Sequence, residues 1–470
     1  MSLAPAVGLD TISIDAYTGT EAVTGHFADD YAPWVLAAPS IAKAETLLPA
    51  PPDLADWSDP RVGWGVVLAA PPGADPATLA SGADAPEPIR ELIKRRNGKV
   101  LRYRPESSHA PWILRDYAGG GDLLNAASQP GSGPRRLPMY LLIYGTPAQI
   151  PWPVQYTLNP VRFVGRLDLT GDALANYVNA LLAGWPRSTT RYDAPVVWAV
   201  DHGGGDITTL MRTAIASELY AALKADNDIT APTYVDGSAI TATGATLIDA
   251  LVANRPSLVI TSSHGLTGPL RDVARMRDNL GLLVDQEHLP IPPAKLLEAW
   301  QPDGAVWFAQ ACCSAGADNP SSYRGLFRPG EPLDLVLNGV AGVGATTSPL
   351  PRALLGAPKP LRAFIGHVEP TFNWTLEFPP NGQVLTSDLK RTLYENLCLG
   401  KPVGLAMNDY YKAIGSQLLA LDKKTNAFVS SAGPTARQAL DMAVYLKVTA
   451  YDRANTVILG DPTVAIPLPR

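Results

Sequence analysis

The stretch "SLVITSSHG", Ser257–Gly265, decides how this chain is read. Four apolar or β-branched residues, Leu258–Thr261, run into two serines, a histidine and a glycine. A run so short and so uniformly apolar reads as a strand buried on both faces, ended by small residues. A second stretch repeats the design: "AVWFAQACCSAG", Ala305–Gly316, is an apolar run that stops at Cys312, Cys313 and a glycine. The chain has only six histidines and three cysteines, yet His264 stands 48 and 49 residues before this cysteine pair, each at a strand-like end.

Outward from these two runs the pattern is regular. Strand-like segments Met139–Gly145, Ala194–Asp201 and Thr233–Gly237 alternate with helix-like segments. "TGDALANYVNALLAGW" from Thr170 carries apolar residues at Leu174, Tyr177, Val178, Leu181 and Leu182, which is helical spacing. Amphipathic helices are also expected from Ile207, from Thr243 and over Pro293–Trp300. Strands that alternate with helices and are apolar throughout predict an α/β fold with a mostly parallel sheet covered on both faces. In such sheets the working residues lie just beyond the carboxyl ends of the strands. Asp201, His264 and the Cys312/Cys313 pair all hold that position.

Before "SQPGSGPRRLP", Ser128–Pro138, the chain is rich in proline loops around one strand, "GWGVVLAA", with a helix expected over Pro88–Arg96. The expected division is therefore an irregular, strand-rich region over 1–136 and a regular region over 137–470. The latter comprises a leading part of about 137–193, a core of about 194–350 and a completing part of about 351–470.

Composition narrows the function classes. Of 470 residues, 46% are hydrophobic and 17% charged, which is a globular balance with ample core. The net charge is −6 and the longest basic run is "IKRRNGK", Ile93–Lys99, so a nucleic-acid partner is not expected. Three cysteines make no disulfide framework, no His/Cys cluster has metal spacing, and no metal or organic cofactor is expected. There is no basic, apolar leader and no 18-residue apolar run, so the expected setting is cytoplasmic, with no membrane partner.

A thiol near an imidazole is a nucleophile and its base, because the thiolate is the attacking species and the imidazole takes its proton. The N–H of Gly265, with that of the cysteine itself, suits an oxyanion. The competing reading is ordinary: a buried cysteine is usually inert core, and a single histidine is usually structural. Their joint placement at two strand ends weighs against that.

These motifs resemble those of the caspase-like cysteine proteases, the group that holds caspases, metacaspases, legumains, separases, gingipains and CHAT-type proteases. "SSHG" is similar to the histidine motif, and "QAC" to the start of the caspase cysteine signature. "CSAG" has the C-x-x-G spacing of metacaspases and gingipains. The stretch from "YLLIYGTPAQIP" to "NALLAGW" and the ending "VILGDPTVAIP" resemble gingipain-like and CHAT-like domains. The resemblance spans about 137–467. It implies a caspase-like sandwich, a cysteine endopeptidase with His264 as base, and a protein or peptide substrate.

Spacing back from Gly316 selects Cys313 as nucleophile, and spacing forward from Gln310 selects Cys312; the glycine-controlled turn favours Cys313. No third member of the catalytic set stands out. Asp201 and Asp206 flank the loop that contributes to the side-chain pocket in this fold. Acids there imply a preference for Arg or Lys before the cut, while the ordinary reading makes Asp206 a helix cap. His202 and His367 are candidates for lining the site, while the ordinary reading makes each a solvent-facing loop histidine. The glycine run "GVAGVGATT", Gly339–Thr347, opens into no helix, fails as a dinucleotide signal and reads as a strand along the cleft. The rival reading is a catalytically silent or partner-gated interaction module on the same fold, with the N-terminal region as the surface for an activating or inhibitory protein. A small-molecule α/β hydrolase lacks its G-x-S-x-G elbow.

Overall fold

A computed structural model describes residues 11–19, 23–32, 34, 52–107, 110–119 and 121–468. The chain is built on one 12-stranded sheet. From one edge its strands are Thr233–Asp236, Val196–Ala199, Leu258–Ser262, Val306–Gln310, Ala363–His367, Thr456–Gly460, Phe163–Leu167, Tyr140–Tyr144, Trp64–Ala69, Lys99–Tyr103, Ile113–Asp116 and Gly121–Leu124. The first five run parallel. Thr456–Gly460 is antiparallel to the fifth and parallel to the next four. Two parallel blocks thus meet at one antiparallel seam, with their strand ends pointing in opposite directions, and Ile113–Asp116 and Gly121–Leu124 finish the far edge as antiparallel strands.

The strands form where the sequence predicts them because every residue of the central ones is buried. Leu258–Ser262, Val306–Gln310 and Ala363–His367 expose none of their side chains. Such a strand must be covered on both faces, and burial of each large apolar side chain contributes roughly 1.5–3 kcal/mol. Trp198 and Trp307 fill the layer, each satisfying its indole N–H: Trp198 donates to the Thr243 carbonyl at 3.2 Å and Trp307 to Thr261 Oγ1 at 2.9 Å.

The expected division at 137 does not coincide with a break in the sheet. Tyr140–Tyr144 pairs with Trp64–Ala69 on one side and Phe163–Leu167 on the other. The proline-rich region supplies four strands of the sheet, and the helix expected over Pro88–Arg96 runs Glu87–Arg96. Buried Asp461, in the "GDP" turn after Thr456–Gly460, accepts from Trp64 Nε1 at 3.1 Å and pairs with Arg96 at 3.1 Å. That turn therefore works as a clasp between the last strand and the N-terminal block. The glycine run also differs from expectation. Gly339 and Gly342 belong to the helix Pro332–Gly342, and only Thr346–Thr347 is strand.

A second apolar cluster lies beyond the strand ends that carry His264 and the cysteines. It joins Cys312 and Cys313 to Ile12, Ile14, Phe27, Phe327, Leu333, Phe372 and Trp374, and to Leu440 and Val444 of the helix Gly433–Asn455. The N-terminal segment is therefore packed into the body of the molecule at this end. No described helix is long and apolar enough to cross a membrane.

Candidate active site

Ser262 stands in register with Gln310 across two neighbouring parallel strands. This register carries His264, two residues past Ser262, and the cysteine pair, two and three residues past Gln310, to the same end of the sheet. Gly265 lets the two strand ends close: a Cβ there would lie 1.8 Å from the Cys312 carbonyl oxygen. Gly265→Ala must push these ends apart. The expected result is a lower melting temperature and loss of any activity at this site, readable by thermal melt and peptide turnover.

His264 is buried, at 1% exposure, and both ring nitrogens face carboxylates. Nε2 is 3.0 Å from Asp206 Oδ2. Nδ1 is 2.8 Å from Asp15 Oδ1, an ion-pair contact. Burial works against the imidazolium, but the two carboxylates outweigh it and raise His264 to about 10. Burial also pushes Asp15 up to about 7, against the pull of His264. Asp206 is held below the usual carboxylate range, its burial outweighed by His264 and Thr208. Both carboxylates favour the imidazolium, the form of His264 that cannot take up a further proton.

Asp206 has a double role. It caps the helix that begins at Ile207, with Oδ1 accepting from the Thr208 N–H at 2.8 Å and the Thr208 hydroxyl at 2.6 Å. The cap expected from the sequence is therefore present, and the other oxygen reaches His264. Asp201 does not present a free carboxylate. It pairs with Arg212 at 2.7 Å and accepts from the Gly203 N–H and the Thr209 hydroxyl. A basic side chain entering here must compete with Arg212, which also contacts Asp236 at 3.3 Å. The structure brings Asp206 to His264 and leaves Asp201 in a separate ion-pair network.

Cys312 and Cys313 are both fully buried, and burial drives both thiols well above their ordinary value. Their surroundings differ. The Cys312 sulfur accepts from the Thr371 N–H at 3.3 Å, and after burial the negative charge of Asp15 does most to disfavour its thiolate. Cys313 has φ = 56°, in the left-handed region that non-glycine residues seldom adopt, and feels Glu369 first. The Cys313 N–H donates to the Glu369 carbonyl at 3.2 Å. The Cys312 N–H donates to the Asp15 carbonyl at 3.3 Å, and the Gly265 N–H donates to that same oxygen at 3.1 Å. One peptide carbonyl is thus held by the glycine after the histidine and by the first cysteine of the pair.

Sequence reasoning missed Asp15 altogether and missed the second role of Asp206. It also missed a stack of rings beside His264: His202 lies 5.5 Å from it and 4.2 Å from His288, and Tyr17 lies 5.0 Å from His288. Burial and the neighbouring His264 and His288 lower His202 to about 4, so it is a neutral wall of the site. His367 is not a solvent-facing loop residue: it ends the fully buried strand Ala363–His367, within 3.3 Å of Gln310 Oε1, and burial lowers it to about 3. No group of three or more potential ligands with metal-holding geometry occurs among the described residues.

No family model and no curated protein matches the chain. Among solved structures, it is similar to a chain of the Saccharomyces cerevisiae separase–securin complex, with a TM-score of 0.32 and 11% identity. The match covers 69% of this chain and 15% of that one. A likeness of that size does not by itself establish a shared fold.

Proposed function

We propose that this protein is a cysteine endopeptidase of the caspase-like kind, with His264 as general base and the cysteine pair as source of the nucleophile. The observation that carries this reading is the Asp15 carbonyl, which accepts from the N–H groups of Gly265 and Cys312. Two backbone donors converging on one oxygen, beside an imidazole and a thiol, are what an acyl-transfer site needs. Because the nucleophile's own N–H belongs to such a hole, the same observation favours Cys312 over Cys313.

The chemistry is then as follows. His264 Nδ1 takes the Cys312 proton, and the sulfur bonds to the carbonyl carbon. The C=O electron pair moves onto the oxygen between the two N–H donors. As that pair returns, the C–N bond breaks and His264 gives the proton to the leaving amine. Water, deprotonated by the same imidazole, then cleaves the thioester and restores the thiol. Asp206, on Nε2, fixes the ring and stabilises the imidazolium.

The test is a cleavage profile of the purified chain on a peptide library, paired with labelling by a thiol-directed peptidyl probe. A defined cleavage preference, with labelling lost in His264→Ala, is expected. Labelling that ignores His264, with no cleavage of any peptide, would leave an interaction module as the better reading.

A further inference from the structure

The N-terminal segment lies across the candidate site as an extended strand. The Asp15 N–H donates to the Thr371 carbonyl at 3.2 Å, Ser13 N–H reaches Asn373 Oδ1 at 3.3 Å, and Ile14 bridges antiparallel to Phe372. On the other side Ala16 and Tyr17 run parallel to Gly265 and Leu266, and the Thr267 N–H donates to the Tyr17 carbonyl at 3.1 Å. The segment is hydrogen-bonded from both flanks, with Ile12 and Ile14 sunk into the apolar cluster beside Phe372 and Trp374. This is the way a bound peptide adds a strand to a groove: main-chain bonds hold it and alternate side chains enter pockets.

We infer that residues 12–17 fill the substrate groove as an internal ligand, and that this groove takes extended peptides with an aliphatic residue immediately before the residue whose carbonyl enters the Gly265/Cys312 hole. The inference rests on the proteolytic reading of the site. Ile14 marks the aliphatic position and Asp15 the carbonyl position. The Asp15 carboxylate is what separates this occupant from a substrate. It lies 2.8 Å from His264 Nδ1, the nitrogen assigned to the thiol proton in the proposed mechanism. A peptide with a neutral side chain at that position leaves the imidazole free. The segment is therefore a built-in inhibitor, and the groove opens when it is displaced.

The experiment uses the full chain and iodoacetamide, with peptide mapping of each cysteine. Cys398, half-buried and packed on the main core cluster, not on the one that holds Cys312 and Cys313, reports global opening. Wild type, Asp15→Asn and Ile14→Glu are compared, and peptide turnover is read on the same samples. Asp15→Asn keeps the shape and removes the charge, so it remains informative if Ile14→Glu fails to fold. The expected result is labelling of Cys312 or Cys313 at least ten-fold faster in Asp15→Asn than in wild type, with Cys398 unchanged. The synthetic peptide TISIDAYT should suppress this labelling, and TISINAYT should do so less. Equal labelling in wild type and Asp15→Asn, or no protection by TISIDAYT, overturns the proposal. Faster labelling without peptide cleavage keeps the segment as a cover and sinks the protease reading alone. Full turnover by wild type, unchanged in Asp15→Asn, sinks the internal inhibitor and leaves the protease standing.

Discussion

Cys312→Ala abolishes peptide turnover, by roughly 10⁴-fold or more, whereas Cys313→Ala retains it within a few-fold; this is the largest effect expected. Both are measured in the Asp15→Asn background, where the imidazole is released from its second carboxylate. The reasoning rests on which backbone donor shares an acceptor with Gly265. The Cys312 N–H does so, while the Cys313 N–H is consumed by the Glu369 carbonyl. Cys312 also donates its N–H to the carbonyl of Asp15, the residue whose carboxylate meets His264, whereas Cys313 is tied to Glu369. Neither change should unfold the protein. Each removes one buried sulfur, a cavity worth about 1 kcal/mol, and Ala tolerates the positive φ at 313 no worse than Cys does. Reversed outcomes restore the assignment favoured by the C-x-x-G spacing. Two fully active variants exclude a cysteine nucleophile here.

The mostly parallel sheet and the placement of His264 and the cysteines at the same end of it were legible because both depend on local pattern. A strand buried on both faces must be apolar throughout, so its end shows wherever small and reactive residues interrupt the run. Asp15 was not legible. "DTISIDAYTG" alternates weakly, and nothing in it announces that its carboxylate will meet a histidine far along the chain. That contact depends on Ile12 and Ile14 finding a second apolar cluster, which is a tertiary event. Asp206 was half legible: one oxygen does the capping that its sequence position predicts, and the other is committed to His264, 58 residues away. Asp201 shows the converse. It directly follows a strand, as a pocket residue would, but Arg212 on the next helix turn claims it. Position relative to a strand end predicts which residues can reach a site. It does not predict which charges are already paired.

The second large effect concerns His264 and its orienting acid. In the Asp15→Asn background, His264→Ala should lower turnover by roughly 10²–10⁴-fold with little change in substrate affinity, as for a group that moves a proton in the transition state. Asp206→Asn should cost less in turnover and should move the pH profile. Asn caps the helix at Ile207 as well as Asp does, so the fold is spared. The carboxylate 3.0 Å from Nε2 favours the imidazolium; without it the proton leaves at lower pH. The acid limb of kcat/KM should therefore shift down by about one unit, the equivalent of about 1.4 kcal/mol. A merely structural role would lower activity and leave that limb in place. The same groups give the closed chain a pH dependence of definite sign. His264 is raised to about 10, so its stabilising charge is fully present below its unfolded value and is lost as pH climbs through 10. Asp15 is raised to about 7 by burial, so the cost of keeping it buried grows between its ordinary carboxylate value and about 7 and is constant above that, which leaves His264 alone to set the trend at higher pH. Asp206, held low, stays ionised throughout; the other titratable rings facing His264 are His202 and Tyr17, with His288 stacked behind both. Closure by the N-terminal segment should thus weaken from pH 7 to 10. The measurable sign is the ratio of cysteine labelling in Asp15→Asn to that in wild type, which should fall toward one across that range; a ratio that grows with pH would show that the Asp15–His264 contact does not hold the segment down.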